Sequence, residues 1–587
     1  MTPKWKRRAG ACLGLREANL EGVVTLGGAF AQLLPKIEVA LASILDEPLP
    51  VMPQDQGAAQ RIATLYAFAH GAIQRQSRIA LTQAVYVCML DGTSLASPEF
   101  TVYVPTAGQR PSRIALEWAG RLFNRVAAGQ VLQALDEREV IHASLMPFAN
   151  PGLNYFNVVS AAHELDVPVQ SVVLATIVLG TGSRSRWMES SLTDATPAIA
   201  MRIANSKLAT ATVLRNAGLP GGNNMLVTSP EQAVEVARKL GYPVVVKPVD
   251  LQQGTGVSAD LRNDASVVHG FEVARAASPN VLVEKWAPGF THRLTVFNGK
   301  VIRVTRRIAG GVFGDGENTI AALVGQQQQS EMLQRGLRRL GRMLIELDDE
   351  ALDLLRQNGQ SIDSVPRSGE YVRLRRRDNV SAGGTNEHVA LHETHTDNLQ
   401  LAIDATARLR LDFAGVDLII EDITQSWLAT GALICEVNGQ PQLGTRSDPK
   451  IYLNILRELL GEDCRIPARL FICADDETRR QLAVESLLRD GKSNGFASQA
   501  GLWIDGRLAT GPFPNGFAAA QALLRRSDVH DAMCLMTIDE VTKMGLPLSQ
   551  WDRIEIVDRS WLTAQDEALV SRVSEMIGPH QMNVDRR

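Results

Sequence analysis

The run Val244-Val245-Val246-Lys247-Pro248 leads into the loop Gln253-Gly254-Thr255-Gly256-Val257. Three consecutive valines bounded by breakers read as a buried strand. A lysine at the end of such a strand is costly to bury unless an anion meets it. Whatever this chain folds into must therefore bring an acidic or phosphate group against that sheet. The glycines just beyond let backbone amides close over anionic oxygens. A lone Gly-x-Gly is weak evidence, and its weight comes from what accompanies it.

Two further stretches accompany it: Ile203-Ala204-Asn205-Ser206-Lys207 with Thr210, and Gly415-Val416-Asp417 followed by Cys435-Glu436-Val437-Asn438. Glu436 and Asn438 are two apart in an apolar run, so both point to one face of a strand. Asp417 closes another apolar segment, Phe413 to Leu418. Two carboxylates and an amide oxygen suit Mg²⁺, which takes such donors together with substrate phosphate and water. We read Asp417, Glu436 and Asn438 as metal ligands, and Lys207, Lys247, Gly254 and Gly256 as the ATP phosphate site. Glu284, after Val281-Leu282-Val283, is the expected acceptor for ribose hydroxyls. Arg306, Arg375 and Asn379 are expected at the reacting centre, and Arg293, Ser381, Gly383 and Gly384 at the substrate. Arginine forks hold carboxylate or phosphoryl oxygens two at a time, and the 379–385 loop is rich in amide donors. His388, His392 and His395 lack a matching acidic or cysteine partner, so no zinc site is expected there.

A chain of 587 residues is too long for one core. The pattern predicts an α/β multidomain protein with an α+β domain over 1–160, a central domain over 161–463 and an α/β domain over 464–587. In the first, Ala40 to Leu45 reads as helix, Phe100 to Val104 as strand, and Ile114 to Val126 as amphipathic helix. In the second, Pro168 to Leu174 reads as strand and Met201 to Ala217 as one helix closed by Gly218 and Pro220. Ser229 is the expected N-cap of a helix with Pro230 at its first position. Gln326 to Gln329 is placed at the start of a helical stretch. Tyr371 to Arg375 alternates as a strand, which would put Arg373 and Arg375 on one face. Ala468 to Cys473 reads as a strand and Glu477 to Arg489 as a helix.

Net charge is −4 with pI about 6.3, which favours neither nucleic acid nor an anionic membrane. The basic start is not followed by an apolar stretch of signal length, and no run is long enough for a membrane helix. Six scattered cysteines without a CxxC pair read as reduced thiols. A cytoplasmic homo-oligomer is expected.

At these residues the chain resembles the ATP-grasp carboxylate–amine ligases and, among them, the cyanophycin synthetases. The likeness runs from about Val172 to Leu460 through LTDATPAIAMRIANSK, VVVKPVD, VFGDG, SIDSVPRSGEYVRLR, NVSAGG, FAGVDL and CEVNGQP, in that order. It implies a central ATP-grasp domain, ATP and Mg²⁺ as cofactors, and an amide bond made through an acyl phosphate on a peptide or amino-acid substrate, polymer included. It implies an N-terminal domain that helps hold the polymer and a truncated Mur-ligase-like C-terminal domain. Where that module's phosphate loop belongs, the chain reads Cys473-Ala474-Asp475-Asp476-Glu477-Thr478-Arg479-Arg480, with no glycine or lysine and three acids. Like charges there would repel ATP. This resembles the shorter, single-site class, which joins preformed β-aspartyl-arginine units. Leu251-Gln252-Gln253 and Thr385 to Val389 depart from the family pattern and leave two alternatives open: a ligase of a small-molecule pathway, or a non-catalytic polymer-binding scaffold.

Overall fold

The computed structural model describes residues 5–27, 32–53, 55–94, 97–249, 256–330, 333, 337, 343–375, 383–445, 448–474, 477–490, 493–557 and 564–581. The chain divides into two compact units, Met1–Ser190 with Gly444–Arg587, and Ser191–Leu443.

Two larger sheets lie in the first unit, beside strands Val169–Val173, Thr176–Leu179 and Arg186–Glu189, which pair antiparallel in that order. Lys6–Arg8, Asn19–Thr25, Glu99–Pro105 and Tyr86–Met89 form an antiparallel sheet in that order. Helices Leu34–Ile44, Ala58–Gln76 and Gln109–Ala127 cover it around Phe68, Phe100 and Trp118; the first and third include the expected helical stretches, apart from Leu45 at the end of the first, and the second was not foreseen. The second sheet contains Gly495–Ser498, Ala532–Thr537, Ala468–Cys473 and Arg553–Ile556 in parallel, with Gly501–Ile504 and Arg507–Thr510 added antiparallel at one edge. Helix Glu477–Asp490 follows Cys473, and residues 475 and 476 of the altered loop lie outside the described residues. The chain start is stitched onto this sheet's surroundings: the Ala11 and Leu546 backbones each donate to the other at 2.8 Å. Helix Ile451–Leu460 also belongs here, and Tyr452 donates to Asn154 Oδ1 at 2.6 Å.

The second unit carries the residues of interest, and its elements are numbered in chain order. Where one helix is expected over 201–217 there are two, α1 (Ala198–Ala204) and α2 (Lys207–Asn216). Ser206 breaks them because its Oγ accepts the Ala209 N–H at 3.3 Å, a new N-cap. Strand β1 (Met225–Val227) leads to α3 (Pro230–Leu240), which Ser229 caps as expected by accepting from Gln232 N–H. Then come β2 (Val244–Pro248), β3 (Ser258–Leu261), α4 (Asp264–Ala277) and β4 (Val281–Lys285), giving an antiparallel sheet in the order β3-β2-β4-β1. Val244, Val246, Val281 and Val283 pack on α3 and α4, so the opposite face carries Lys247 and Glu284.

Next are β5 (Phe290–Phe297), β6 (Lys300–Ile308), β7 (Gly311–Phe313), α5 (Ile320–Gln328), α6 (Asp349–Gln357) and β8 (Tyr371–Arg373). The glutamine run ends α5 instead of opening a helix. Strand β8 stops at Arg373, which is exposed, whereas Arg375 is buried, so the two do not share a strand face. Finally β9 (Thr385–Val389), α7 (Thr396–Leu409), β10 (Phe413–Ile420) and β11 (Leu433–Asn438) complete a five-stranded antiparallel sheet in the order β9-β6-β5-β10-β11. Leu294, Val296, Val304 and Val416 pack on α7 with Leu401 and Ala405. That leaves the other face of this sheet for polar side chains. Among the described residues no helix is long and apolar enough to cross a membrane.

Two buried histidines make the fold acid-sensitive. Burial, with Arg75 nearby, pushes His70 down to about 3. Burial pushes His292 down to about 4, with Arg306 adding to it against the Phe290 carbonyl hydrogen bond. Both stay neutral in the fold and gain a proton on unfolding below about 6.5. The unfolded chain then binds more protons, so stability is full above pH 6.5 and declines as pH falls toward 4. The unfolding midpoint should drop between pH 6.5 and 5, before most carboxylates titrate, and less steeply in a His292→Phe variant. An identical drop in that variant would remove His292 from the account.

Candidate active site

Two strand pairs build the site. On β2 and β4, Val245 lies opposite Glu284 and Lys247 opposite Leu282, so Lys247 and Glu284 are diagonal neighbours on one face. Lys247 Nζ donates to Glu284 Oε1 at 2.5 Å, and both side chains are buried. Burial pulls Lys247 down, but the charge and hydrogen bond of Glu284, with Cys435 and Glu436 adding, hold it above the ordinary lysine value. Lys247 is thus a fixed cation, and its field reaches the strand that bears Glu436. The glycine loop ends at Gly256, whose φ is +71° and whose added Cβ would lie 2.9 Å from Pro248 Cγ. Only glycine fits that return toward β2. Gly254 lies outside the described residues. Lys207 is the first residue of α2, which packs against β11.

On the five-stranded sheet, Asp417 lies opposite both Arg293 on β5 and Glu436 on β11, and Gly415 lies opposite Asn438. Direct partners in an antiparallel sheet share a face. The register therefore gathers Arg293, Asp417, Glu436 and Asn438 on one face. Asp417 is 1% exposed. Arg293 donates from Nε to Asp417 Oδ1 and from Nη2 to Oδ2, the latter at 2.8 Å. The Asn438 amide, oriented to satisfy both its neighbours, donates to Glu436 Oε1 at 3.2 Å and accepts from Arg293 Nη2 at 3.0 Å. Cys435 Sγ donates to the Asp417 carbonyl at 3.3 Å, and burial pushes its thiol up, so it stays protonated.

Arg306 is not on this face. It lies opposite His292, whose neighbour Leu294 packs in the core, and its guanidinium stacks 4.0 Å from the Phe290 ring centroid. The next residue, Arg307, occupies the site face, with Nη2 3.3 Å from Asp417 Oδ2. A one-residue change exchanges faces. Arg375 is held elsewhere: it donates to Asp348 Oδ1 at 2.9 Å, to the Leu344 carbonyl at 3.2 Å and to the Leu374 carbonyl at 2.9 Å. Asp348 also caps α6, so Arg375 secures the small layer formed by β7, β8, α5 and α6. Asn379 and Ser381 lie outside the described residues. Gly383 and Gly384 are buried and lead directly into β9, where Asn386 pairs with Arg307. His388 is exposed on β9 and His395 caps α7 by accepting the Asp397 N–H.

The donor set fits magnesium: a carboxylate on each of two adjoining strands and an amide oxygen beside them. Among the described residues no group of three or more His, Cys, Asp or Glu could hold a metal, so Asn438 and substrate oxygens would have to complete the shell. Arg307 is a site neighbour that the sequence reading missed, and Gly415 and Cys435 stand in the stretches it quoted without a role given to them.

Two family models match within this region. The ATP-binding domain of the carbamoyl-phosphate synthase L chain matches residues 206–296, and a RimK-like ATP-grasp domain matches residues 348–461. A cyanophycin synthetase of Trichormus variabilis is 29% identical over 384 residues, 63% of this chain and 42% of that protein. A cyanophycin synthetase of Geminocystis herdmanii is 27% identical over 471 residues, 76% of this chain and 52% of that protein. The glutathione biosynthesis bifunctional protein of Streptococcus thermophilus is 33% identical over 237 residues, 39% of this chain and 30% of that protein. The chain spans about half the length of the cyanophycin synthetases it matches. A solved bifunctional glutathione synthetase from Pasteurella multocida aligns at 23% identity with a TM-score of 0.41, covering 60% of this chain and 52% of that one. The chain carries an ATP-grasp region related to ADP-forming ligases.

Proposed function

We propose that the protein is an ATP-dependent, ADP-forming carboxylate–amine ligase, and that it polymerises β-aspartyl-arginine units into cyanophycin or a related polymer. The observation that carries the ligase reading is the buried Lys247–Glu284 pair, whose cation is held in the field of Glu436. Lys247 and Lys207 would neutralise phosphate oxygens, and Gly256 would let the loop close over them. Glu284 would accept ribose hydroxyls while it fixes Lys247. Asp417, Glu436 and Asn438 would hold magnesium, which when bound supplies positive charge to the phosphate oxygens. Arg293 would meet the anionic substrate group, and Gly383 and Gly384 would shape the acceptor site with Asn379 and Ser381. Catalysis would then come from positioning and electrostatic stabilisation. We place Arg307 at the reacting centre in preference to Arg306, and we keep Arg375 as a residue that braces the acceptor layer.

The substrate follows from the number of working sites. Adding aspartate and arginine in turn requires two different carboxylates to be activated. One site suffices if each unit arrives with its side-chain amide already made. The three-part division at about 160 and 464 belongs to this proposal, with the last part a degenerate Mur-like module. Product masses from paired reactions test it, one with β-aspartyl-arginine and one with free aspartate and arginine, each with a short primer. Growth only with the dipeptide is expected, and growth only with the free amino acids would contradict the single-site reading. The 33% identity to a glutathione biosynthesis protein favours a second reading, a peptide ligase of a small-molecule pathway. Growth in neither reaction, with ADP release on other amines, would select it.

One nucleotide per chain is expected. Titration calorimetry with a non-hydrolysable ATP analogue should give a stoichiometry near one, and Lys247→Ala should abolish the signal. A second site surviving in that variant would assign nucleotide binding to the C-terminal part.

A further inference from the structure

We propose that Arg293 and Arg307 form a cation gate on Asp417, in which the guanidiniums and a divalent metal ion compete for the same carboxylate. This rests on the ligase reading above and specifies how its metal site is loaded. Asp417 is almost fully buried, and Arg293 lies directly across the strand pair from it. Both carboxylate oxygens accept from Arg293, and Arg307 approaches Oδ2 at 3.3 Å. The same Arg293 Nη2 that serves Oδ2 also reaches the Asn438 oxygen at 3.0 Å. Two of the three oxygen donors assigned to the metal are therefore claimed by one guanidinium.

The pairing is built into the sheet. An added Cβ on Gly415 would lie 2.7 Å from both Cδ and Nη1 of Arg293. Glycine at that position leaves the groove through which the side chain reaches Asp417. Arg293 is charged in this setting, because a guanidinium is not deprotonated in proteins.

A metal ion bonded to Asp417 would stand beside two guanidiniums. Like charges repel several-fold more strongly in a buried site than in water, because the effective dielectric constant is lower. A bare divalent ion is therefore disfavoured. A metal ion arriving with a polyphosphate carries net negative charge and reverses the sign. Its phosphates also give Arg293 a new bidentate partner when it leaves Asp417. The gate thus couples metal binding to nucleotide binding and moves Arg293 from a carboxylate onto the phosphoryl-bearing group.

Mn²⁺ binding followed by electron paramagnetic resonance tests this on the full chain, without nucleotide and with ADP. Wild type should bind free Mn²⁺ weakly and Mn²⁺–ADP at least tenfold more tightly. Arg293→Gln should bind free Mn²⁺ at least tenfold more tightly than wild type, and Arg307→Gln should show the same direction with a smaller change. Circular dichroism establishes that each variant is folded, and either folded variant is sufficient for the test. Unchanged or weaker free Mn²⁺ binding in a folded variant would overturn the gate. Glu436→Gln, which leaves the Asp417 pair untouched, separates the gate from the reading beneath it. If that variant holds Mn²⁺–ADP as tightly as wild type, the metal-ligand assignment fails, and the gate fails with it.

Discussion

Glu436→Gln should reduce ADP release by roughly 10²–10³-fold, equivalent to about 3–4 kcal/mol of transition-state stabilisation, with the fold retained. The change is isosteric, and it removes the charge of one assigned metal ligand while keeping the Asn438 contact within reach. Asp417→Asn is a less clean probe. Asp417 is the bidentate partner of Arg293 and lies 3.3 Å from Arg307, so neutralising it leaves buried positive charge uncompensated. Loss of activity in Asp417→Asn would mix a metal effect with destabilisation of the sheet, whereas Glu436→Gln isolates the first. Initial rates in saturating Mg²⁺ are the measurement, with thermal unfolding as the control for fold. A near-wild-type rate would remove Glu436 from the metal site.

The second large effect concerns stability. Lys247 and Glu284 form a buried ion pair between β2 and β4. Removing one partner strands the other charge in the sheet, at a cost of about 3–5 kcal/mol. Glu284→Leu should therefore open the β2–β4 ladder to hydrogen exchange far more readily than wild type. The double variant Lys247→Met/Glu284→Leu should recover most of that protection, because apolar replacement of a buried pair is often near neutral. It should nevertheless fail to release ADP, since the phosphate cation is gone. Exchange at residues 244–248 and 281–285 reads the effect locally, which suits a chain of two units better than a single melting curve. Equal protection in the single and double variants would mean that the pair is not what holds these strands.

The parts of this site that were legible in sequence are those whose signal is local. Val244 to Lys247 and Leu433 to Asn438 are apolar runs with functional residues at fixed parity, and both are strands where expected. That Arg307 and not Arg306 lies on the face of Asp417 was hidden for a physical reason. Strand β6 pairs Thr295 with Arg303 but Val296 with Val301, so a register shift interrupts its alternation. Val301 and Val304 both pack toward the core, so the alternation changes parity across the bulge, which no local pattern in the sequence marks. The claim of Asp348 on Arg375 was equally hidden, because it joins residues 27 apart through a cap. So was the pairing of Ala11 with Leu546 within the first unit, which no local pattern announces. The break at Ser206 had a signal, a serine three residues before an alanine-rich run, but the helical periodicity on either side outweighed it.

The central claim is that a substrate carboxylate is activated as an acyl phosphate at this one site. The direct measurement is ³¹P NMR of a reaction containing ATP, Mg²⁺, β-aspartyl-arginine and a primer whose terminal carboxylate carries ¹⁸O. ADP and inorganic phosphate bearing one ¹⁸O are expected, in proportion to the amide bonds formed. AMP with pyrophosphate, or phosphate without the label, would contradict the account.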